Sequence, residues 1–373
     1  MQKILFVIDS LGGGGAEKST ELLAVFLMQR GWDVNIAVLK KSEVGVEEQV
    51  RNQGVVVLHI AGDDFYRRRK NLSKIIKQKK PQIVHSILFL SNLIVRSIRP
   101  GKQFIHIESL VSTTYAEERK KDRRVNQKAL RIFKLIDRFS AGFGVDGFHA
   151  ISETVKKHYC KELGINAKKI QVIYRGRKPF GTKKIASYAA GDVLKVLNIG
   201  RHVYAKGQIF LLQAMKRIVE SGYPVKCVIL GKEGEETNAL KTFLVKNNLQ
   251  DYVELAGYHL DVETFLLDAH VFVFPSLYEG LGGGLIEAQS AGLALCCNDI
   301  EVLREVSPAD DKVVFFNVRN PDTIAESILF FFNNPEKIAE YGEASLNNFY
   351  KRFDESINHQ KMEDYYKSFM RSG

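Results

Sequence analysis

Two carboxylates, Glu279 and Glu287, flank a glycine-rich stretch that directly follows an apolar run in the second half of the chain; it contains Gly282, Gly283 and Gly284. A strand, a glycine turn and a helix starting near Gly284 would present unpaired backbone N–H groups and the positive end of a helix dipole, which binds phosphate. Side chains at the glycine positions would hold a phosphate away. The pattern predicts a diphosphate site with one carboxylate for a sugar and one for a ribose. A turn with a capping glutamate is the alternative.

Two cations, Arg201 and Lys206, follow the first apolar run of the same half. At the carboxyl end of a strand they would suit a diphosphate, because charge-assisted hydrogen bonds contribute roughly 1.5–3 kcal/mol each. They would also neutralise the charge that grows on a departing nucleoside diphosphate. A pair of solvated surface cations is the alternative. Loops at two further strand ends contain Gly231 and Tyr258 and could admit the edge of a base.

Apolar runs alternate with helical periodicity in both halves of the chain. In the first half these runs are 4–8, 34–39, 55–60, 83–86, 104–107 and 148–152. In the second half they are 194–199, 225–230, 253–255, 271–274, 294–297 and 313–316. Strand, helix, strand indicates an α/β fold with two doubly wound parallel sheets. Such sheets bind ligands at the carboxyl ends of their strands, and we expect the two to face a shared central cleft.

The length of 373 residues exceeds what one hydrophobic core usually organises. We predict a first Rossmann-like domain over 1–178, a linker over 179–190 that is rich in glycine, proline and charge, and a second Rossmann-like domain over 191–352. The helical pattern over 353–373 could pack back on the first domain.

The composition, 45% hydrophobic and 26% charged, is that of an ordinary globular protein. The apolar run near Met1 is too short for a signal sequence or a membrane span, so we expect a cytoplasmic protein. The 4 cysteines include no Cys-x-x-Cys pair, and this argues against a disulfide framework and a zinc site.

Positive charge is concentrated in the first half of the chain. Residues 1–190 hold 36 Lys and Arg against 17 Asp and Glu, whereas 191–373 hold 18 against 26. Residues 119–138 interleave six apolar side chains among nine cations, and such a helix can contact anionic lipid at about 1 kcal/mol per cation. Nucleic acid is the rival partner, although no RNA-binding motif is present. The alternative is a solvated helix whose apolar face joins the core. We predict a membrane surface and no nucleic acid.

The second half resembles glycosyltransferase family 4, retaining enzymes of the GT-B fold that serve bacterial cell-surface polysaccharides. The resemblance rests on Glu279 and Glu287 with seven residues between them, and on Arg201 with Lys206. In the first half, residues 10–17 are similar to the first glycine loop of the family, and further segments fit at 81–86, 150–153 and 172–176. Nearly the whole chain is covered. The resemblance implies that the domain over 1–178 binds the acceptor and that the domain over 191–352 binds the nucleotide sugar.

The resemblance implies that Glu287 binds the ribose hydroxyls, that Glu279 contacts the transferred sugar, and that Arg201 and Lys206 hold the diphosphate. Together these give Glu279, Arg201 and Lys206 a catalytic role. The remaining donor contacts would come from Gly14, Gly15, Gly231, Tyr258, Gly282, Gly283, Gly284 and Leu285. No Asp-x-Asp motif occurs, which agrees with a mechanism that requires no metal. Retention would proceed by front-face departure, with a donor phosphate oxygen taking the acceptor proton.

The acceptor side departs from the family pattern. Alignment on Glu108 places Ser109 where relatives often carry a histidine. Because a strand alternates faces, His106 and Glu108 should share one face and Ser109 the other. His106 is then an acceptor-side candidate or a satisfied core histidine. His85 and Arg175, the latter in place of the usual Asn of an Asn-Gly pair, complete the acceptor-side candidates.

We predict a transferase that moves a hexose or N-acetylhexosamine from a UDP-linked sugar to a membrane-associated glycan in lipopolysaccharide, capsule or exopolysaccharide synthesis, at the inner face of the cytoplasmic membrane. A non-catalytic sugar-nucleotide-binding protein of the same fold is the alternative, because of Ser109. A nicotinamide-dependent oxidoreductase is a weaker one. Its second strand should end in an acidic residue, but Lys40 and Lys41 follow Leu39.

Overall fold

The computed structural model describes residues 1–42, 45–99, 101, 103–180, 188–189, 191–259 and 261–371. The chain forms two compact units. Unit 1 contains Met1–Tyr115, Val125–Gly176 and the C-terminal segment from Ser356. Unit 2 contains Ala116–Arg124 and Arg177–Glu355. Of the predicted linker, residues 181–187 and 190 lie outside the described residues.

Unit 1 is built on a parallel sheet of seven strands in the order β3-β2-β1-β4-β5-β6-β7. The strands are β1 Lys3–Ile8, β2 Asp33–Val38, β3 Val56–His59, β4 Ile83–Ile87, β5 Ile105–Leu110, β6 Gly147–Ala150 and β7 Ile170–Val172. The helices before β5 are α1 Gly15–Gln29, α2 Glu47–Asn52, α3 Phe65–Lys79 and α4 Phe89–Ile98. After β5 come α5 Glu117–Lys120, which belongs to unit 2, then α6 Gln127–Ala141 and α7 Glu153–Leu163.

Both faces of the unit 1 sheet are covered, so most residues of its central strands are buried, the polar ones included. Phe6 and its neighbours on one face pack with side chains of α1 and with Met362 and Tyr366. Leu5, on the other face, packs with side chains of α3 and α4. The last helix of the chain therefore contributes to the core of unit 1.

Unit 2 is built on a parallel sheet of six strands in the order β10-β9-β8-β11-β12-β13. The strands are β8 Leu194–Ile199, β9 Val225–Leu230, β10 Val253–Gly257, β11 Val271–Phe274, β12 Ala294–Asn298 and β13 Val314–Phe316. The helices are α8 Gln208–Glu220, α9 Thr237–Lys246, α10 Glu263–Asp268, α11 Gly283–Ser290, α12 Glu301–Val306, α13 Pro321–Asn333 and α14 Pro335–Arg352. The final helix, α15, is Glu355–Arg371.

The short segment Ala116–Arg124 lies with unit 2, although the sequence analysis assigned it to the first domain. Ion pairs explain the difference. Glu118 pairs with Arg319 and accepts a hydrogen bond from the Tyr204 hydroxyl at 3.3 Å, and Arg124 pairs with Glu236.

Strand order reverses between β1 and β4 in unit 1 and between β8 and β11 in unit 2. Doubly wound sheets bind ligands at this reversal, beyond the carboxyl ends of the strands. The prediction of two Rossmann-like parallel sheets is confirmed. In unit 2 the loops at the reversal are those after β8 and β11, which carry the predicted cations and carboxylates.

Candidate functional site

The loop after β8 is pressed against the loop after β11 in unit 2. Gly207, at the end of the β8 loop, has a positive φ of 60°, and a Cβ there would stand 2.1 Å from the carbonyl oxygen of Pro275. The N–H of Leu277 donates to the carbonyl of Ala205 at 2.8 Å. Glycine is required at 207 because no other residue permits both the backbone angle and the close approach. The consequence is that Lys206 reaches the residues after β11.

Lys206 forms an ion pair with Glu279, and the two side chains are 20% and 12% exposed. The hydroxyl of Ser276 donates to Oε1 of Glu279 at 2.9 Å. Lys206 Nζ also lies 5.3 Å from the centre of the Phe274 ring, within the range of a cation–π contact. A predicted cation and a predicted carboxylate therefore meet at the strand reversal, where both can reach a ligand.

Helix α11 begins at Gly283, one residue before the predicted start. Gly282 precedes it with a φ of 88°, and a Cβ on Gly284 would lie 3.0 Å from the carbonyl oxygen of Ile199 in β8. These two glycines set the turn and bring the helix onto the sheet. Leu285 is fully buried and its N–H donates to the carbonyl of Gly282 at 3.0 Å, so it packs in the core beneath the loop.

Glu287 is paired with Arg177, a residue that the sequence analysis did not single out. Arg177 Nε donates to Oε1 of Glu287 at 3.0 Å, and a Cβ on Gly283 would lie 2.6 Å from Arg177 Nη2. The guanidinium group therefore lies along the first turn of α11. The only sequence signal is an arginine just beyond β7, and its partner is 110 residues away.

Three further predicted donor residues of unit 2 follow adjacent strands of its sheet. Arg201 is exposed after β8, and Tyr258, 48% exposed, follows β10. Gly231 follows β9, where a Cβ would stand 1.9 Å from the carbonyl oxygen of Gly200. The lack of a side chain at Gly231 thus allows the loops after β9 and β8 to contact each other. Within the described part of the chain, no three His, Cys, Asp or Glu side chains lie close enough together to hold a metal ion.

The glycine loop of unit 1 stands at the start of α1, which begins at Gly15 with Gly14 as its N-cap residue. A Cβ on Gly14 would lie 2.5 Å from Oε2 of Glu17. On Gly15, a Cβ would have no described atom within 4 Å apart from its chain neighbours and the backbone of its own helix. Nη1 of Arg175 lies 3.5 Å from the carbonyl oxygen of Gly15. Gly15 therefore borders open space.

Two buried histidines form one directed chain of hydrogen bonds across unit 1. His149 Nε2 lies 2.8 Å from the carbonyl of Ile173 and must donate to it, so Nδ1 accepts from the Ser109 hydroxyl at 3.0 Å. Ser109 then accepts from His85 Nε2 at 2.8 Å, and His85 Nδ1 accepts from the Tyr366 hydroxyl at 2.6 Å. In this series of hydrogen bonds, the imidazoles of His85 and His149 are both neutral.

The pKa values agree with neutral rings. Burial lowers the pKa of His149 to about 4, with Arg175 acting in the same direction. Burial, then His149 and Arg175, lower the pKa of His85 well below its usual range. Burial raises the pKa of Tyr366 well above its ordinary value. A cavity of unit 1 borders this chain at His85, Ser109 and His149 and is also lined by Arg175.

His106 and Glu108 point to the opposite face of β5 from Ser109, as strand alternation predicts. His106 donates from Nδ1 to the carbonyl of Gly144 and accepts at Nε2 from the Ser86 hydroxyl, both at 2.8 Å. It fits the core-histidine alternative, with its pKa lowered to about 4 by burial. Glu108 is fully buried against Arg96. Among the acceptor-side candidates, the structure therefore groups His85, Ser109 and Arg175 and separates these two.

Two family models match successive parts of the chain. The model described as Glycosyltransferase Family 4 matches residues 13–179, and the one described as Glycosyl transferases group 1 matches residues 182–347. The capsular polysaccharide biosynthesis glycosyltransferase CapH of Staphylococcus aureus is 23% identical over 99% of this chain and 99% of its own length. The UDP-Gal:alpha-D-GlcNAc-diphosphoundecaprenol alpha-1,3-galactosyltransferase of Escherichia coli is 26% identical over 62% of this chain and 61% of its own. Several other relatives are matched over less than half of their own length.

Among solved structures, Anabaena Alr3699/HepE in complex with UDP-glucose has a TM-score of 0.83 at 15% identity, covering 99% of this chain and 100% of that one. Two Rossmann-like units with this likeness have the GT-B fold, and the two family models make the chain a glycosyltransferase. The chain belongs to glycosyltransferase family 4.

Proposed function

We propose that the protein transfers a hexose or N-acetylhexosamine, with retention, from a UDP-linked sugar to a membrane-associated glycan of lipopolysaccharide, capsule or exopolysaccharide synthesis. The observation that carries the donor part is the arrangement around α11, whose first turn lies between the two carboxylates Glu279 and Glu287, each paired with a cation. The helix terminus and Lys206 offer positive potential to a diphosphate. The carboxylates offer acceptors for sugar and ribose hydroxyls.

UDP is the proposed nucleotide because the names of an E. coli relative and of an Anabaena structure both carry it. The mechanism that we propose uses Arg201, Lys206 and the first turn of α11 to stabilise the charge on the departing diphosphate, so that no metal is needed. Glu279 would orient the transferred sugar. An oxygen of the departing phosphate would take the proton of the acceptor hydroxyl on the same face of the sugar.

The test is a panel of UDP-glucose, UDP-galactose and their N-acetylhexosamine counterparts, incubated with the protein and vesicle-borne glycan lipid in excess chelator. Release of UDP from one donor that survives chelation, and an axial product linkage by NMR, are the expected results. Glu287→Ala should abolish release, and Glu254→Ala, an exposed residue of β10, should not. Saturable UDP binding without turnover of any donor would favour a non-catalytic binding protein instead.

The acceptor is proposed from two sources of support. Two relatives are named for diphospho-undecaprenol acceptors, which are lipid-linked. In this chain, helix α6 leaves large apolar side chains exposed: Ile132 55%, Leu135 56% and Phe139 72%, with Phe143 at 74% just beyond the helix. Most of this apolar face therefore stays outside the core, whereas the alternative interpretation of the helix required it to be buried.

Helix α6 is held to unit 1 by a minority of its residues. Leu130 and Asp137 are buried, while the cations Lys128, Arg131 and Arg138 are interspersed among the exposed apolar side chains. Apolar side chains surrounded by cations suit the headgroup region of an anionic bilayer. We propose that α6 places the protein on the cytoplasmic membrane surface. No helix in the described residues is both long enough and apolar enough to span a membrane.

Vesicle sedimentation tests this surface. Anionic phosphatidylglycerol vesicles should pellet the protein and neutral phosphatidylcholine vesicles should do so weakly. The double variant Phe139→Ser, Phe143→Ser should lower the partition coefficient about tenfold, since two large apolar side chains no longer enter the interface. Val245→Ser removes an equally exposed apolar side chain, 62%, from unit 2 and should change nothing. Equal pelleting of all three proteins would contradict the assignment to α6.

A further inference from the structure

Among the described residues, Arg177 is the cation that pairs with Glu287, and it was not among the predicted site residues. Its Nε donates to Oε1 of Glu287 at 3.0 Å, and the side chains are 10% and 20% exposed. No hydrogen bond from the described residues reaches the second carboxylate oxygen, Oε2. The carboxylate is thus fixed through one oxygen and keeps the other for a ligand.

We propose that Arg177 is a positioning residue that orients Glu287 to bind the ribose hydroxyls of the donor, an inference that rests on the proposed function. A carboxylate on an otherwise unrestrained side chain samples several rotamers and loses that freedom on binding. Arg177 removes part of this freedom beforehand, because the charge-assisted bond from its Nε holds Oε1 at 3.0 Å.

Gly283 leaves room for the guanidinium group of Arg177 beside Glu287. A Cβ there would lie 2.6 Å from Arg177 Nη2, so any side chain would push the guanidinium away from α11. The glycine predicted to make room for a phosphate therefore makes room first for Arg177. Glycine at 283 and arginine at 177 are expected to depend on each other.

The backbone of Arg177 is held independently of its side chain. Its N–H donates to the carbonyl of Phe353 at 2.8 Å, and its carbonyl accepts from Glu355 at 3.0 Å. It also forms an isolated bridge with Asp354. Substituting the side chain therefore leaves this anchoring intact, and variants should fold.

Calorimetric titration of wild type, Arg177→Gln, Arg177→Lys and Glu287→Gln with UDP, and with UDP whose ribose lacks the 2′ and 3′ hydroxyls, tests the proposal. Arg177→Gln should weaken UDP binding about tenfold, since a charge-assisted bond is lost, and should change binding of the dideoxy analogue less than twofold. Arg177→Lys should recover part of the affinity. The double variant with Glu287→Gln should bind UDP no worse than Glu287→Gln alone, because the two residues act as a unit.

The titrations distinguish a failure of the positioning role of Arg177 from a failure of the proposed transferase function. Wild type that binds UDP while Arg177→Gln binds it equally well would overturn the role of Arg177 alone. Equal weakening for UDP and the dideoxy analogue would also overturn it and assign Arg177 to the diphosphate. Wild type that binds no nucleoside diphosphate would overturn the proposed function, and this inference with it.

Discussion

The two units use the same chemical groups in different ways. In unit 1, Arg96 pairs with Glu108 and Asp137, and all three side chains are nearly inaccessible, at 3%, 1% and 7% exposed. In unit 2, the pair Lys206 and Glu279 is 20% and 12% exposed and lies at the strand reversal. Each set joins cations to carboxylates. The sets differ in whether another molecule can reach them.

Exposure decides what such a pair can do. A buried pair that is fully satisfied holds the fold, because removing one partner leaves an uncompensated charge in a poor solvent. A pair that is partly open can exchange its partner for a sugar hydroxyl or a phosphate at small desolvation cost. Even with Arg96 beside it, the buried carboxyl of Glu108 has its pKa raised, because desolvation outweighs the attraction. We therefore assign the buried set to stability and propose that the open set serves function.

The largest effect is expected for Arg96→Met, which leaves Glu108 and Asp137 without their cation. Unfolding of unit 1 should become easier by about 3–5 kcal/mol. The chain contains 1 tryptophan, Trp32, buried in unit 1, so its fluorescence during urea unfolding reports on this unit. Arg99→Met breaks a half-exposed pair with Asp146 and should lower stability by no more than about 1 kcal/mol. Similar losses in both variants would show that burial does not decide how much an ion pair of unit 1 contributes to stability.

Glu279→Ala should lower activity and leave stability unchanged, the reverse of Arg96→Met. It removes a group expected to contact the transferred sugar, and kcat should fall about 10²–10³-fold. Lys206 is 20% exposed and can be hydrated where it stands, so the midpoints of urea unfolding followed by far-UV circular dichroism, which reports on both units, should not move. Glu220→Ala, an exposed residue at the end of α8, serves as the control. Activity within threefold of wild type would show that this pair is structural as well.

The neutral histidines of unit 1 make its stability depend on pH. The pKa of His149 is about 4 in the folded protein, against 6.5 for an unperturbed histidine. Because the folded value is the lower one, the contribution is complete above about pH 6.5 and is lost as pH falls towards 4. One such histidine should lose about 2 kcal/mol between pH 7 and pH 5.

The Trp32 unfolding curve at both pH values measures this loss, and His149→Gln supplies the comparison. The variant keeps an amide donor and acceptor but does not titrate, so the destabilisation on acidification should be smaller by about 2 kcal/mol. An unchanged pH dependence would mean that His149 is not neutral in the folded chain.

The smallest effect is expected at the glycine loop of unit 1. Gly15 opens α1 and borders open space, so Gly15→Ala should raise stability by about 0.5 kcal/mol through helix propensity. Gly207→Ala in unit 2 should lower the stability of the folded protein, because a Cβ on residue 207 would lie 2.1 Å from the carbonyl oxygen of Pro275. If Gly15 brings its backbone to a ligand, the stabilised variant should lose transfer activity. Full activity would place the ligand elsewhere.

Sequence reasoning predicted both sheets because apolar runs of strand length alternate with helical periodicity, a local property. It predicted the helix start at α11 to within one residue, because glycines mark the turn. It did not predict that Ala116–Arg124 fold with unit 2, since the ion pairs of Glu118 and Arg124 join residues more than a hundred positions apart. It also left open which face of α6 is buried, because periodicity shows an apolar face but not what covers it.

The sequence by itself determined the residue types at the strand ends, Glu279, Glu287, Arg201 and Lys206, since each lies next to a recognisable strand or glycine turn. Only the tertiary structure decided their pairing. Lys206 and Glu279 meet because β8 and β11 are neighbours in the sheet, and Arg177 reaches Glu287 across 110 residues. The directed chain through His85, Ser109 and His149 likewise depends on three adjacent strands in register. Local patterns fix what a segment can form, whereas which side chains meet follows from the order in which the strands pack.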